Sequence, residues 1–360
     1  MKRILLVDYP YPDGRSREKA LRGMGFDIKV FNLIQSRIWP GQKSLKRKAL
    51  PFINLIKPLK DLLWGLDDTM LNRKLLDTVK EFRPDCVLII KGDSIESGTL
   101  KKMKKICSPL MINWDADSFL TPERIHLVLP RLGLYDYCFT IDEVEVLPGV
   151  IRNEIFRKNR NIFTVPLAAN SDFYRPIEIS NEAKNSLASF LVFIGTINPA
   201  RRSLLENLED MNLKIWAPAE SAWGKWLENG SILKKYYQNG CVYGEELIKL
   251  YAHSGIVLDI HFLFSQIPEI PNVTLRVFEV PAAGGFVLTN FSPQLPNLFK
   301  LDEEIICYKS AGECREKAHY FLKNPGLRKK IADKGRERVL REHTFENRLR
   351  AILRIAGFNA

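Results

Sequence analysis

The chain has 360 residues, 46% of them apolar, which suffices for two cores of ordinary domain size. It has no apolar run of about 18 residues, which excludes a membrane-spanning helix read from hydropathy, and its six cysteines show no C-x-x-C spacing, so they read as reduced core thiols of a cytosolic protein rather than a disulfide or zinc framework. The formal charge of +12 points to an anionic partner: nucleic acid, anionic lipid or a phosphorylated substrate.

Taken in order, Met1 to Asp8 is too short and too quickly polar for a signal peptide. Arg3 to Asp8 is predicted as a strand, Ser16 to Met24 as a helix capped by Gly25, and Asp27 to Phe31 as a strand. This is the β-α-β opening of a Rossmann-like domain. The G-x-G-x-x-G fingerprint is absent after the first strand, which argues against NAD or FAD. Ser36 to Gly65 breaks the rhythm and reads as a basic insertion, about 36–65. No acidic residue stands between Asp27 and Asp61, while Lys43, Lys46, Arg47 and Lys48 do, beside Phe52, Ile53 and Trp64.

The alternation then resumes. Helices are expected at Thr69 to Phe82 and Ser94 to Lys104, and strands at Asp85 to Ile90, Leu110 to Asn113, Tyr137 to Ile141 and Ile162 to Val165. A second Rossmann-like unit starts at Phe190 to Thr196, with a helix from Ala200 to Met211 and strands Leu213 to Trp216 and Ile256 to Ile260. Two basic helices, Glu313 to Leu322 and Leu327 to Arg341, precede an amphipathic last helix, Phe345 to Ile355.

The second unit carries the most informative stretch, Pro271 to Asn290. Asn272 is a good helix N-cap, Pro281 cannot continue the hydrogen-bond ladder, and Gly284 and Gly285 end the helix before the apolar strand Phe286 to Leu288. Arg276 and Glu279, three apart, share a face. Free N–H groups at Asn272, Val273 and Thr274, a cation and a carboxylate suit a nucleoside diphosphate, with the diphosphate on the N–H groups and Arg276 and the ribose on Glu279.

This stretch, Arg-x-Phe-Glu-x-x-Ala-x-Gly-Gly from Arg276 to Gly285 and then an apolar strand, resembles the donor-binding helix of GT-B glycosyltransferases. It is most similar to the CgeB-like, spore-maturation-type branch of family-1-like glycosyltransferases. Pro166 to Pro176, Pro-Leu-Ala-Ala-Asn-Ser-Asp-Phe-Tyr-Arg-Pro, resembles the interdomain connection of that branch. The resemblance covers the C-terminal half strongly and the N-terminal half weakly. It implies an α/β GT-B fold, two Rossmann-like domains facing a cleft. Residues 1–168 would form the acceptor domain, 169–342 the nucleotide-sugar donor domain and 343–360 a helix crossing back to the first domain. It also implies a metal-independent hexosyltransferase that uses a nucleotide-diphosphate sugar, UDP-linked, and needs no cofactor.

Several residues are carried over by the resemblance. Gly14 lies in a strand-to-helix loop near the substrates. Gly195 with Arg201 or Arg202 resembles the glycine-then-basic element on the diphosphate. Tyr243, Gly244 and Leu247 match a stretch by the base, and His261 is near the sugar. A second glutamate eight positions before Glu279 would fall on Pro271; Glu269 is off register, which leaves retention or inversion open. Asp115 and Asp117 form a D-x-D at the carboxyl end of a strand, where one of them is expected as the acceptor base and metal binding is not expected.

The expected acceptor is an envelope, glycan, lipid-linked or protein hydroxyl. The segment 37–64 is expected to touch anionic membrane from the cytoplasmic side. Alternatives are a GT-B-fold nucleotide-sugar epimerase and a non-catalytic basic binding protein. Nucleic acid is not an expected partner, because aromatics do not interleave with the basic run.

Overall fold

The computed structural model describes residues 1–36, 57–221, 224–225, 231–261 and 273–359. It divides into two units, Met1–Pro166 with Phe345–Ala360, and Leu167–Phe264 with Pro271–Thr344.

The first unit runs β1 (Arg3–Asp8), α1 (Pro12–Gly23), β2 (Asp27–Asn32), α2 (Lys57–Phe82), β3 (Cys86–Ile90), α3 (Ser97–Cys107), β4 (Leu110–Asp115), α4 (Pro122–Val128), β5 (Tyr137–Thr140), α5 (Gly149–Lys158) and β6 (Ile162–Thr164). All six strands are parallel, in the order β2-β1-β3-β4-β5-β6. Strands β1, β3 and β4 are apolar almost throughout because helices cover both faces of a parallel sheet. The chain leaves β1 to one side and returns to β3 on the other, so the topological switch lies between their carboxyl ends, where open α/β sheets place ligands.

Helix α2 begins at Lys57, so residues 57–65 belong to a helix rather than to an irregular insertion. Pro58 stands in the first turn, where its missing N–H costs nothing, and the helix runs on through Gly65. Leu71, Leu75 and Val79, at four-residue spacing, are fully buried in the core. The basic run 43–48 lies outside the described residues.

The second unit continues with α6 (Asn181–Leu187), β7 (Leu191–Ile194), α7 (Pro199–Glu206), β8 (Leu213–Trp216), the two-residue strands β9 (Glu220–Ser221) and β10 (Gly224–Lys225), α8 (Gly244–His253) and β11 (Ile256–Asp259). Then come α9 (Arg276–Ala282), β12 (Val287–Asn290), α10 (Leu295–Leu298), β13 (Ile306–Tyr308), α11 (Ala311–Lys323) and α12 (Pro325–Glu342). Its main sheet is also parallel, ordered β13-β12-β11-β7-β8, with the switch between β7 and β11. Helix α7 stops at Glu206, short of the expected Met211; Leu208 and Met211 are still buried, but on a turn.

The last helix, α13 (Phe345–Ile355), belongs to the first unit and packs on α1. Phe345 meets Trp114 edge-on at 6.1 Å, and the Arg17 guanidinium lies 4.8 Å from its ring. Arg17 is itself fixed by Asp8 at 2.7 Å. Burial of Phe345, Leu349, Ile352 and Leu353 contributes roughly 6–12 kcal/mol as an upper figure. That is enough to hold a short helix far in sequence from its sheet.

Candidate functional site

Helix α9 differs from the sequence expectation. It starts at Arg276, and Asn272 lies outside the described residues. The N–H groups of its first turn are already used: Arg276 N donates to Thr274 Oγ1 at 3.2 Å, and Phe278 N and Glu279 N to the Leu275 carbonyl at 2.9 Å. The first turn of this seven-residue helix thus has its own N–H groups paired, and Val273 is buried in the core. Pro281 sits inside the helix rather than ending it. The end comes as expected at Gly284 and Gly285. Gly284 takes φ +87°, its N–H meets the Pro281 carbonyl at 2.8 Å, and Gly285 N meets Val280 O at 3.0 Å, a Schellman closure. A Cβ on Gly285 would lie 1.8 Å from the Tyr251 carbonyl oxygen, so α8 and α9 meet there only across a glycine.

The arginines sort themselves by partner. Arg276 is mostly buried and donates to Asp259 at 2.7 Å and to the Ile194 carbonyl at 2.6 Å. Asp259 is fully buried at the end of β11, and it also accepts from Thr274 and Thr289 at 2.9 Å each. Burial would raise the Asp259 carboxyl, but Arg276, His261 and the hydrogen bonds outweigh it and hold the group below the usual carboxylate range. Arg276 is therefore committed to the fold.

Arg201 is the more available cation. Its Nε donates to the Ile260 carbonyl and its Nη1 to the Thr196 carbonyl, at 2.9 and 2.8 Å. Its Nη2 makes no hydrogen bond among the described residues. Burial first, then the neighbouring Arg276, lower its pKa. Arg202 turns away to Glu206 at 2.7 Å. Asn198 caps α7 by accepting from Arg201 N at 2.8 Å, which fixes where the arginine starts.

Gly195 lies between the two cations. At φ +154°, a Cβ there would stand 3.2 Å from Arg276 Nη2 and 3.9 Å from Arg201 Nη1. Its own N–H is used by Trp216 O at 2.9 Å, so the glycine supplies room rather than a donor. His261 follows β11, its backbone N–H held by Asn290 Oδ1 at 2.5 Å; burial lowers its ring pKa against the pull of Asp259. Glu279 is buried one turn along α9 and accepts from Tyr251 Oη at 3.4 Å. Tyr243 is exposed, Gly244 starts α8 at φ +64°, and Leu247 is half-buried on the core. Gly195, Arg201, Arg276 and His261 thus gather at the carboxyl edge of one sheet, at its switch point.

In the first unit, Gly14 lies within the first turn of α1 rather than in a loop. A Cβ there would be 2.1 Å from the Tyr9 carbonyl oxygen. It lines a cavity of about 230 Å³ with Asp8, Arg15 and Asn32. Asp115 ends β4 and is buried, its carboxylate gripped by Arg124 Nη2 at 2.9 and 3.0 Å. Arg124 also holds Asp93 at 2.8 Å. Burial pushes the Asp115 carboxyl up to about 7, with Arg124 pulling against it. Asp117 is half-exposed and pairs with Lys91. Asp259, Arg124 and Lys91 are the partners that sequence reading missed. A carboxylate closing an all-apolar strand, as Asp259 does after Ile256 to Leu258, is the one signal that a buried cation must exist.

A family model described as glycosyl transferase-like matches residues 200–354. Spore protein CgeB of Bacillus subtilis (strain 168) is 23% identical over 277 residues, 74% of this chain and 81% of that protein. Sucrose-phosphate synthase from Thermosynechococcus elongatus superposes with a TM-score of 0.65 at 12% identity, over 98% of this chain and 97% of that one. The Anabaena protein HepE, solved in complex with UDP and glucose, does so with 0.61 at 11% identity, over 98% of each. The fold is GT-B, and the chain is similar in sequence to CgeB over about three quarters of its length. The family match spans the region that holds Arg201, Arg276 and Glu279. Taken with the fold, it supports a glycosyltransferase. Among the described residues no helix is long and apolar enough to cross a membrane, and no group of three or more His, Cys, Asp and Glu side chains could hold a metal ion.

Proposed function

We propose that the protein transfers a hexose from a UDP-linked sugar to an envelope, glycan, lipid-linked or protein hydroxyl without a metal ion. The observation that carries this reading is the pair of guanidinium groups flanking Gly195, of which Arg276 is held by Asp259 and Arg201 hydrogen-bonds only backbone carbonyls among the described residues. Arg276 is matched by Asp259, while Arg201 has no carboxylate partner among the described residues, so a guanidinium is left at a half-buried sheet edge, where a leaving diphosphate would be stabilised more strongly than in water. In this reading Arg201 is the diphosphate contact, through its open Nη2, and Arg276 holds Asp259 and the Ile194 carbonyl in place behind it. Glu279 takes the ribose hydroxyls, His261 lies by the sugar, and Tyr243 to Leu247 border the base. Asp117 is the acceptor base of this proposal, because its carboxylate is half-exposed while that of Asp115 is closed by Arg124.

UDP release from a panel of UDP-hexoses, measured with envelope extract and excess chelator, tests the reading. Chelator-insensitive release that needs the extract is expected. No release from any donor would sink it, and release inhibited by chelator would remove the metal-free part.

The segment 37–64 would place this activity at an anionic leaflet, each Lys or Arg contributing about 1 kcal/mol. Flotation with anionic but not neutral vesicles is expected, with loss when Lys46, Arg47 and Lys48 all become Glu; equal recovery with both vesicle types excludes this placement.

A further inference from the structure

We infer that the second unit carries another anion site, on the opposite edge of its sheet from Gly195, that takes a small soluble phosphate-bearing molecule. A cavity of about 650 Å³ opens there. Gly255 and Phe286, which line it, immediately precede β11 and β12, so the cavity faces the amino ends of the strands and shares no residue with the donor cluster. A volume of several hundred cubic ångströms is that of a small-ligand pocket.

The walls are cationic. Lys184, Arg328, Lys329 and Arg336 line the cavity against only Glu178 and Asp333. Both carboxylates are already matched, Glu178 by Lys184 at 2.7 Å and Asp333 by Lys329 at 2.7 Å. Arg328 and Arg336 are left with no carboxylate partner among the described residues. Arg328 is buried and spends its donors on the carbonyls of Phe321, Leu322 and Ala188. Arg336 makes no hydrogen bond among the described residues, and its Nε is buried without an acceptor. His253 meets the Ile177 carbonyl at 2.7 Å.

Ser254 supplies an independent sign. It is 6% exposed, lines the cavity, and its Oγ has no partner. A buried hydroxyl and a buried guanidinium N–H left unpaired cost free energy that a bound acceptor would return. Phosphate has the acceptor count and charge to satisfy both, and Arg336 can meet it with two N–H groups. The backbone fits such a ligand as well. Gly284 and Gly285 form a side-chain-free wall, and the aliphatic stem of Arg336 passes 3.9 Å from where a Cβ on Gly284 would be. The 18-residue helix α12 also begins at this wall, at Pro325, with no side chain capping its first turn.

Equilibrium dialysis of the full chain with radiolabelled inorganic phosphate tests the site. Arg328 is buried and its loss could prevent folding, so Arg336→Gln and Ser254→Ala are the variants, with Arg201→Gln as the control at the other sheet edge. Saturable binding is expected in the wild type. Arg336→Gln should weaken it about tenfold and Ser254→Ala by a few-fold, while Arg201→Gln keeps it. Absence of saturable binding, or equal affinity in Arg336→Gln, overturns the inference. Binding lost only in Arg201→Gln would assign the phosphate to the donor edge instead. Competition by phosphatidylglycerol vesicles would move it to a lipid headgroup and overturn the soluble-molecule reading. None of these results depends on whether UDP binds.

Discussion

Asp259→Asn removes one charge from the second unit and keeps the shape of the side chain. The carboxylate is fully buried and holds Arg276 at 2.7 Å, with Thr274 and Thr289 on its second oxygen. Taking away one member of a buried pair leaves the other charge uncompensated, a loss of about 3–5 kcal/mol. The side chain of Arg276 is 17% exposed and keeps its bond to the Ile194 carbonyl, which places the expectation near the lower end. For a unit of this size about 3 kcal/mol corresponds to a fall of roughly 6–12 °C in Tm. Scanning calorimetry at neutral pH measures it. The double change Asp259→Leu with Arg276→Met should recover most of the loss, because both charges leave together. The pH dependence carries a second signature. The carboxyl of Asp259 is held below its ordinary range, so its stabilisation is present above an unfolded value of about 4 and is lost as pH falls through the lower folded value. The Asn variant should lack that acid slope. A Tm within about 1 °C of wild type would refute the reasoning, since no buried charge could then depend on Asp259.

Asp115 has the opposite sign. Its carboxyl is raised to about 7 by burial, so the folded state holds the proton more tightly and stability falls as pH rises from about 4 to about 7; Asp115→Asn should flatten that slope in urea midpoints, and an unchanged slope contradicts the burial argument. Gly195→Ala places a Cβ 3.2 Å from Arg276 Nη2 and should cut UDP affinity about tenfold or more while far-ultraviolet dichroism stays native; unchanged affinity would remove Gly195 from the site. Asp117→Asn should lower kcat with UDP affinity unchanged, and full activity would exclude it as the base. Gly285→Ala, with a Cβ 1.8 Å from a backbone oxygen, should yield unfolded or insoluble chain, and a stable variant would show that α8 can move aside.

The architecture was legible in the sequence because parallel strands buried on both faces must be short apolar runs, and Leu88 or Val257 can be nothing else. Helix ends were less so. Pro281 reads as a break, yet it is tolerated inside a seven-residue helix, where few ladder bonds are lost. The helix expected to start at Asn272 begins at Arg276, and Thr274 turns its hydroxyl to Asp259. Partners could not be read at all. Asp259 meets Arg276 across 17 residues and Ile194 meets it across 82, distances that only the sheet order closes. The same holds for Arg124, which gathers Asp93 and Asp115 from two different strand ends and so separates the D-x-D pair into one buried carboxylate and one half-exposed carboxylate paired with Lys91.

Calorimetric titration with UDP tests the central claim most directly, because it isolates the donor site from any unknown acceptor. Wild-type chain is predicted to bind UDP saturably, Arg201→Gln about tenfold more weakly, and Arg202→Gln like wild type. No binding of UDP, GDP, dTDP or CMP at about millimolar concentration, or equal affinity in Arg201→Gln, would contradict the account.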